Sequence, residues 1–245
     1  MNGIAVAFRN VHKTYPTGEG PVEALRDLTL DVPTNQFTAV VGPSGCGKTT
    51  LLHIAAGLDT QFDGSLVVSP GASRKAYLFQ SPRLLPWLNA EDNVALVREA
   101  GGESRQEALG AARRYLRLVG LAGFERHFPN HLSGGMQQRV AMARALAVEP
   151  EVMLMDEPFA SLDELTARRL RSELLQLYHE SPRTVLFVTH NVTEAAFLGD
   201  RVVLMSPRPG AVLAQVAVDL PRPREYDDPS VALIARDIVK DLQLE

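Results

Sequence analysis

The chain has 245 residues, a length that suits one large domain or two small ones, and it is 45% hydrophobic and 22% charged, as ordinary globular proteins are. Its net charge of −4 makes a nucleic-acid partner unexpected, because general nucleic-acid binders carry an excess of Lys and Arg. The longest apolar runs, such as Ile4–Phe8, fall far short of the roughly 20 residues that a membrane-spanning helix needs. We see no export signal, and a single cysteine, Cys46, fits a reducing compartment.

Short apolar runs separated by polar turns predict buried β-strands along the chain. These runs cover residues 37–41, 76–79, 152–155, 185–188 and 202–205. Stretches with helical spacing lie between several of them, notably 49–57, 105–119, 136–148 and 166–179. Strands that alternate with helices predict an α/β fold with a mainly parallel sheet.

The remaining segments predict additions to this core. The first 35 residues contain β-like segments punctuated by Gly and Pro, which predict hairpins at one edge. Residues 86–147 show no strand pattern and predict an inserted helical subdomain, and an apolar repeat after Asp228-Pro229 predicts a C-terminal helix within 221–245. We therefore expect one domain over 1–245, with 1–85 and 148–220 forming the α/β core and the N-terminal β subdomain.

A glycine-rich segment follows the first predicted core strand. It matches the pattern G-x-x-x-x-G-K-[ST] and reads Gly42-Pro43-Ser44-Gly45-Cys46-Gly47-Lys48-Thr49. Its backbone N–H groups are expected to cradle a polyphosphate, with Thr50 as the last residue of the site. Lys48 is expected to act in catalysis by reaching the β- and γ-phosphates, and the Thr49 hydroxyl to bind Mg²⁺. Cys46 is interpreted as a small buried filler and not as a nucleophile.

Two adjacent acids, Asp156 and Glu157, follow the predicted strand 152–155. In an extended chain adjacent side chains point to opposite sides, so we expect the two to have different tasks. Asp156 is interpreted as a Mg²⁺ ligand and Glu157 as the base that polarises the attacking water. A surface turn that merely ends a strand is the alternative, and the phosphate loop weighs against it. His190 follows the run 185–188 and, taken alone, indicates either a γ-phosphate contact or a loop hydrogen bond.

A second turn with anion-binding character opens the helix predicted at 136–148. The segment is Ser133-Gly134-Gly135-Met136-Gln137, which offers a capping hydroxyl and free backbone amides at a helix start. Taken alone, such a segment is most often an ordinary helix cap. With it, one nucleotide would have two potential phosphate cradles on the chain.

In order along the chain, these segments resemble the ATP-binding cassette ATPases, the nucleotide-binding subunits of ABC transporters. The resemblance covers essentially the whole chain and includes Gln80 and the loop Ser161-Leu162-Asp163. It implies a P-loop NTPase fold, in which Tyr15 stacks on adenine and His190 contacts the γ-phosphate. It further implies that Gln80 binds at the Mg²⁺ and connects this ion and the attacking water to the membrane partner.

The same resemblance implies the partners. Residues 133–137 of one subunit would complete the ATP site of a second copy in a head-to-tail dimer, with residues 161–163 as the dimer loop. The chain would bind a separate membrane permease and would act indirectly with an extracytoplasmic substrate-binding protein. Its location would be the cytoplasmic face of the inner membrane. Met136 stands where the family more usually has glutamine, a swap of similar volume.

Two further segments resemble the importer ATPases for nitrate, sulfonate and taurine, and relatives that handle thiamine precursors. These segments are Gln80–Leu88 and Met205–Gly210. Trp87 either packs into the cleft that receives a permease helix or anchors the core, and both readings stay open. The alternative functions are a non-transport ABC ATPase in translation or DNA maintenance, and a nucleotide sensor without catalysis.

Overall fold

The computed structural model describes residues 3–243, with side chains through residue 240. The strands in this range are β1 (Ile4–Thr17), β2 (Gly20–Pro33), β3 (Phe37–Val41), β4 (Asp63–Val68), β5 (Lys75–Leu78), β6 (Val152–Asp156), β7 (Thr184–Thr189), β8 (Arg201–Met205) and β9 (Val212–Ala217). The helices are α1 (Lys48–Ala56), α2 (Ala90–Ala100), α3 (Arg105–Leu118), α4 (Gly134–Ala147), α5 (Glu164–Glu180), α6 (Val192–Leu198) and α7 (Pro229–Gln243).

The central sheet has six strands in the order β5-β6-β7-β3-β8-β9. All neighbouring pairs are parallel except β8 and β9. Every residue of β3, β6 and β7 is buried, which explains why these strands are continuous apolar runs and do not alternate with polar residues. The prediction of an α/β fold with a mainly parallel sheet is confirmed. Because parallel strands end at the same edge, the segments that follow β3, β5, β6 and β7 lie together.

A second, antiparallel sheet has the order β2-β1-β4. The hairpin of β1 and β2 agrees with the β character predicted for the first 35 residues. The strands β4 and β9 were not among the predicted runs. Both are short and largely or partly exposed, so they lack the continuous apolar character on which the sequence prediction relied.

The stretch predicted as a helical subdomain contains α2, α3 and α4, which pack against one another around buried side chains such as Val94, Leu116 and Val140. Helix α4 begins at Gly134, two residues earlier than predicted, because the Ser133 hydroxyl accepts a hydrogen bond from the N–H of Met136 and caps it. The C-terminal helix α7 begins at Pro229, so residues 221–228 precede it, and the last two residues of the predicted segment lie outside the described residues. The subdomain boundaries themselves stay a prediction.

The central strand β3 carries one polar residue, Thr38. Its side chain is fully buried, and its hydroxyl has no hydrogen-bond partner among the described residues. Since an unpaired buried polar group costs about 1–3 kcal/mol, Thr38→Val is expected to raise the free energy of unfolding by about 1 kcal/mol in a urea titration. Thr184→Val is the matched control, because the Thr184 hydroxyl accepts a hydrogen bond from the N–H of Asn35 (3.1 Å) and its loss should destabilise. Equal destabilisation by both variants would contradict this account of Thr38.

Candidate functional site

A cleft of 410 Å³ lies at the carboxyl edge of the parallel strands. It collects residues from the phosphate loop, the antiparallel sheet and the ends of several core strands. Its walls are Tyr15, Val22, Ala24, Ser44, Gly45, Gly47, Lys48, Thr49, Thr50, Gln80, Asp156, Glu157 and Arg208. Most of the side chains that the sequence assigned to ATP therefore share one cavity.

The phosphate loop takes its shape from its glycines and from one buried thiol. Gly47 has φ +103°, a backbone conformation that residues with a side chain rarely adopt. A Cβ there would also lie only 2.7 Å from the carbonyl oxygen of Ala24. A Cβ at Gly42 would lie 2.8 Å from Cys46 Sγ. Cys46 is fully buried, as expected of a small filler, and burial raises the pKa of its thiol. The thiol is therefore enclosed by the loop, and Cys46 is not among the walls of the cleft.

The Lys48 side chain lines the cleft and is 5% exposed. It donates hydrogen bonds to the carbonyl oxygens of Gly42 (2.8 Å) and Pro43 (3.1 Å). Glu157 Oε1 lies 3.6 Å from the Lys48 nitrogen. The charge thus lies between the phosphate loop and a carboxylate, where it can attract the terminal phosphates of a nucleotide.

Asp156 ends β6 and faces the start of α1. Its two carboxylate oxygens accept hydrogen bonds from the hydroxyl groups of Thr49 and Tyr77, each at 3.1 Å. Burial raises the pKa of Asp156, and these two hydrogen bonds oppose that shift. No pattern in the sequence indicates a role for Tyr77, because its contact with Asp156 depends on the pairing of β5 with β6. The oxygens of Thr49 and Asp156 form a hard-donor pair of the kind that Mg²⁺ prefers.

Glu157 corrects one sequence expectation. An extended backbone would direct the Glu157 side chain to the opposite side from Asp156. The backbone is not extended at this residue, because Glu157 has φ +41°. Its N–H donates to the carbonyl oxygen of Val188 (3.0 Å), which holds the turn, and both carboxylates line the same cleft. The two carboxylates differ in their hydrogen-bond partners. Asp156 contacts Thr49 and Tyr77, whereas Glu157 Oε2 lies 2.7 Å from His190 Nδ1. Sharing one cavity is compatible with separate tasks because the partners are separate.

Tyr15 and Gln80 are two further side chains that line the cleft. The Tyr15 hydroxyl donates to Asp59 Oδ2 (2.9 Å), the Lys13 ammonium lies 4.6 Å from the ring centre, and burial raises the pKa of the phenol. Gln80 is exposed and lines both this cleft and a neighbouring groove of 470 Å³, which extends to Ser161 of the dimer loop. The groove gives Gln80 access to the nucleotide side and to the outer surface.

Trp87 is 69% exposed, so the interpretation as a core anchor is wrong. Its loop is nevertheless well held. The Asn93 amide donates to the carbonyl oxygens of Leu85 (3.1 Å) and Leu88 (2.9 Å), and Arg144 donates to that of Pro82 (2.8 Å). An exposed indole on a fixed loop is typical of a binding surface.

The serine-glycine turn lies outside the cleft, since none of residues 133–137 lines it. Ser133 and Gly134 are exposed, whereas a Cβ at Gly135 would lie 2.7 Å from Thr166 Cγ2. The Gln137 amide donates to the carbonyl oxygen of Pro129 (2.9 Å). The start of α4 is therefore exposed at Ser133 and Gly134 and packed against α5 at Gly135.

The dimer loop is exposed at Ser161 and Asp163 and half-buried at Leu162. Asp163 caps α5, because its carboxylate accepts a hydrogen bond from the N–H of Thr166 (3.0 Å). The loop thus joins β6 to α5 at the same edge as Glu157.

Arg208 is a cleft residue that the sequence analysis did not assign to the site. Its loop is fixed by Gly210, whose N–H donates to the carbonyl oxygen of Ala24 (2.9 Å) and whose carbonyl accepts from the N–H of Arg26 (3.1 Å). Arg208 makes no ion pair within the described part of the chain. The segment Met205–Gly210, which contains Arg208, indicates only the resemblance to particular importers.

None of the helices within residues 3–243 combines the length and the apolar composition that crossing a membrane requires.

Comparison with known proteins gives consistent matches. A family model described as ABC transporter matches residues 25–160. The chain is 47% identical to an aliphatic sulfonates import ATP-binding protein of Burkholderia cenocepacia, over 85% of this chain and 77% of that relative. It is 43% identical to a nitrate import ATP-binding protein of Synechococcus elongatus, over 92% of this chain and 86% of that relative. A dimeric ATP-binding cassette solved in a post-hydrolysis state with ADP and Pi is 33% identical, with a TM-score of 0.77 over 88% of this chain and 100% of that chain.

Proposed function

The chain belongs to the ABC transporter ATP-binding family, and on this basis we propose that it is the ATP-hydrolysing subunit of an importer for a small oxyanion. The observation that carries the proposal is the cleft, where Lys48, Asp156 and Glu157 lie together between the phosphate loop and the ends of the core strands. Relatives named for sulfonate and nitrate import support the class of solute. Both solutes are small anions with several oxygens.

We assign the steps of hydrolysis to residues of the cleft. The loop amides and Lys48 hold the phosphates, and Tyr15 packs against the adenine. Thr49 and Asp156 fit Mg²⁺, because their oxygens lie 3.1 Å apart at the start of α1. When bound, this ion would neutralise charge that develops on the phosphates. Glu157 accepts a proton from the attacking water, and His190, at hydrogen-bond distance from it, contacts the γ-phosphate.

The exposed serine-glycine turn supports a head-to-tail dimer as the active form. The phosphate cradle is formed by one chain, and Ser133 and Gly134 can reach phosphate only in another copy. A related cassette is dimeric with ADP and Pi bound. Two copies arranged in this way would enclose two nucleotides, and closing and reopening of the pair would drive the permease.

The proposed location is the cytoplasmic face of the inner membrane, where the chain binds an integral permease. An extracytoplasmic binding protein would deliver the solute to that permease. The names of the relatives do not support the alternative role in translation or DNA maintenance, and the net charge of −4 also weighs against it. A nucleotide sensor without catalysis is disfavoured because His190 Nδ1 lies 2.7 Å from the carboxylate of Glu157.

Uptake by cells tests the solute class. A strain that lacks the gene would be complemented either with the natural chain or with the Lys48→Ala variant, and uptake of labelled nitrate and of an alkyl sulfonate would be measured. We expect the natural chain alone to restore uptake of one of the two. If the natural chain and the Lys48→Ala variant supported equal uptake of each anion, the oxyanion proposal would be rejected. Ribosomes or DNA that co-purify with the tagged chain would favour the alternative in translation or DNA maintenance.

Trp87 supplies a prediction about the permease. Trp87→Ala is expected to reduce the amount of permease that co-purifies with the chain in detergent by about tenfold, because exposed aromatic side chains often dominate interface energies. The ATPase rate of the isolated chain should not change. Leu58→Ala is the control, since Leu58 is 62% exposed just after the end of α1 that lies away from the phosphate loop. Undiminished recovery of permease with the Trp87 variant would exclude this loop from the interface.

A further inference from the structure

The turn that carries His190 is closed by the side chain of the preceding residue. Thr189 is 2% exposed, and its hydroxyl donates to Glu194 Oε2 (2.6 Å) and accepts from the N–H of Asn191 (3.0 Å). One hydroxyl group thus fixes the backbone on both sides of His190. The His190 side chain itself is 56% exposed, so few contacts other than the one with Glu157 hold its ring.

Glu194 is in turn held by a buried arginine. Arg171 Nε and Nη2 lie 2.9 Å and 2.7 Å from Glu194 Oε1, which leaves Oε2 for Thr189. The two side chains are 3% and 7% exposed. A buried ion pair adds little net stability, because both charges lose their hydration, but its geometry is well defined. The position of Asn191 is also fixed, because its side chain caps the first turn of α6.

The same guanidinium reaches a third element. Arg171 Nη1 lies 3.0 Å from Glu164 Oε1, and Glu164 is the first residue of α5, directly after the dimer loop. Arg171 therefore connects the start of α5 with the turn that carries His190. The residues of this connection belong to neither the phosphate loop nor the cleft wall.

We propose that Thr189, Glu194 and Arg171 are positioning residues, which hold His190 Nδ1 within hydrogen-bond distance of Glu157. The proposal rests on the catalytic role of His190 proposed above. A displacement of about 1 Å of a catalytic group can lower a rate by about 10²-fold, and the exposed ring has no other firm support. The connection acts through the geometry of the turn, because none of the three side chains lines the cleft.

Thr189→Val tests the proposal, because valine keeps the shape of threonine and removes both hydrogen bonds. We expect the kcat of ATP hydrolysis to fall about 10- to 100-fold, while the KM for ATP changes less than about threefold. Thr189→Ser restores the hydroxyl and should keep kcat within about threefold of the natural chain. Should the valine variant fail to fold, as judged by its thermal midpoint, Thr189→Ala carries the same expectation.

Two comparisons separate positioning from a merely structural effect. Thr184→Val makes the same substitution at the other end of β7, at a residue that is 1% exposed, and should leave kcat unchanged. In a His190→Ala chain, Thr189→Val should lower kcat little further, because there is no imidazole left to position. A normal kcat for Thr189→Val would overturn the positioning proposal, and so would an equal loss of kcat in Thr189→Ser and Thr189→Val. Neither result would affect the role of His190. Full activity of His190→Ala would overturn that role, and the positioning proposal with it.

Discussion

Glu157→Gln is expected to lower the rate of ATP hydrolysis by about 10³-fold and to leave ATP binding almost unchanged. The amide keeps the size of the carboxylate but cannot take a proton from water, and a positioned general base contributes about 10²- to 10⁴-fold. Lys48 and the phosphate loop, which hold the nucleotide, keep their own contacts with the backbone. ATP should therefore remain intact between two closed subunits, so the variant should elute as a dimer in the presence of ATP and Mg²⁺.

Single-turnover hydrolysis and size-exclusion chromatography with ATP measure the two halves of this expectation. Glu225→Gln, the same substitution at an exposed residue away from the cleft, serves as the control and should hydrolyse ATP normally. A Glu157→Gln chain that turns over ATP at the natural rate would remove Glu157 from the role of base. In that case His190, its neighbour at 2.7 Å, would be the next candidate to test.

The parts of the site that could be predicted are those encoded within one short segment. The phosphate loop needs only its own glycines and the strand and helix that flank it, all of which are consecutive in the chain. Residues at the ends of parallel strands follow almost as directly, since such strands end at one edge. Asp156 and Glu157 were placed at the end of a core strand in this way, whereas Gln80 was assigned only through the family resemblance.

Features that depend on contacts between distant segments could not be predicted. The φ of +41° at Glu157 is unusual for a residue with a side chain, and it is accompanied by a hydrogen bond to Val188 of the next strand. Tyr77 reaches Asp156 only because β5 pairs with β6. Arg208 reaches the cleft because Gly210 is bonded to β2. Each of these contacts joins segments that no local pattern relates to each other.

The exposure of individual apolar side chains could not be predicted either. A tryptophan between leucines and prolines is compatible with a core or a surface position, and the burial of the surrounding loop decides between them. The hydrogen bonds of Asn93 hold this loop from within and leave Trp87 outside. The short strands β4 and β9 were missed for a related reason, because their exposed residues conceal the strand pattern.

Two variants that are each inactive are expected to regain activity when they are mixed. Lys48→Ala removes the cation from one phosphate cradle, and Gly134→Glu places a carboxylate at the exposed helix start. A Cβ at Gly134 meets no atom within 4 Å, and Glu is favourable in the first turn of a helix, so this variant should fold normally. Its carboxylate should instead repel the phosphates bound by a second copy. Each variant alone should retain less than about 5% of the natural ATPase rate, a loss of at least about 1.8 kcal/mol of transition-state stabilisation.

In a mixed dimer the two substitutions damage the same composite site and leave the other intact. If subunits exchange freely, half of the pairs are mixed and each contains one intact site of two, so about a quarter of the natural rate should return. A mixture of Lys48→Ala with Glu157→Gln is the matched control, because both changes lie in the same cleft and every composite site then carries one of them. No recovery in the first mixture, with exchange demonstrated by a tag on one variant, would mean that Gly134 does not face the nucleotide of the second copy. Recovery in both mixtures would mean that the substitutions do not act on shared sites at all, and the head-to-tail arrangement would then be wrong.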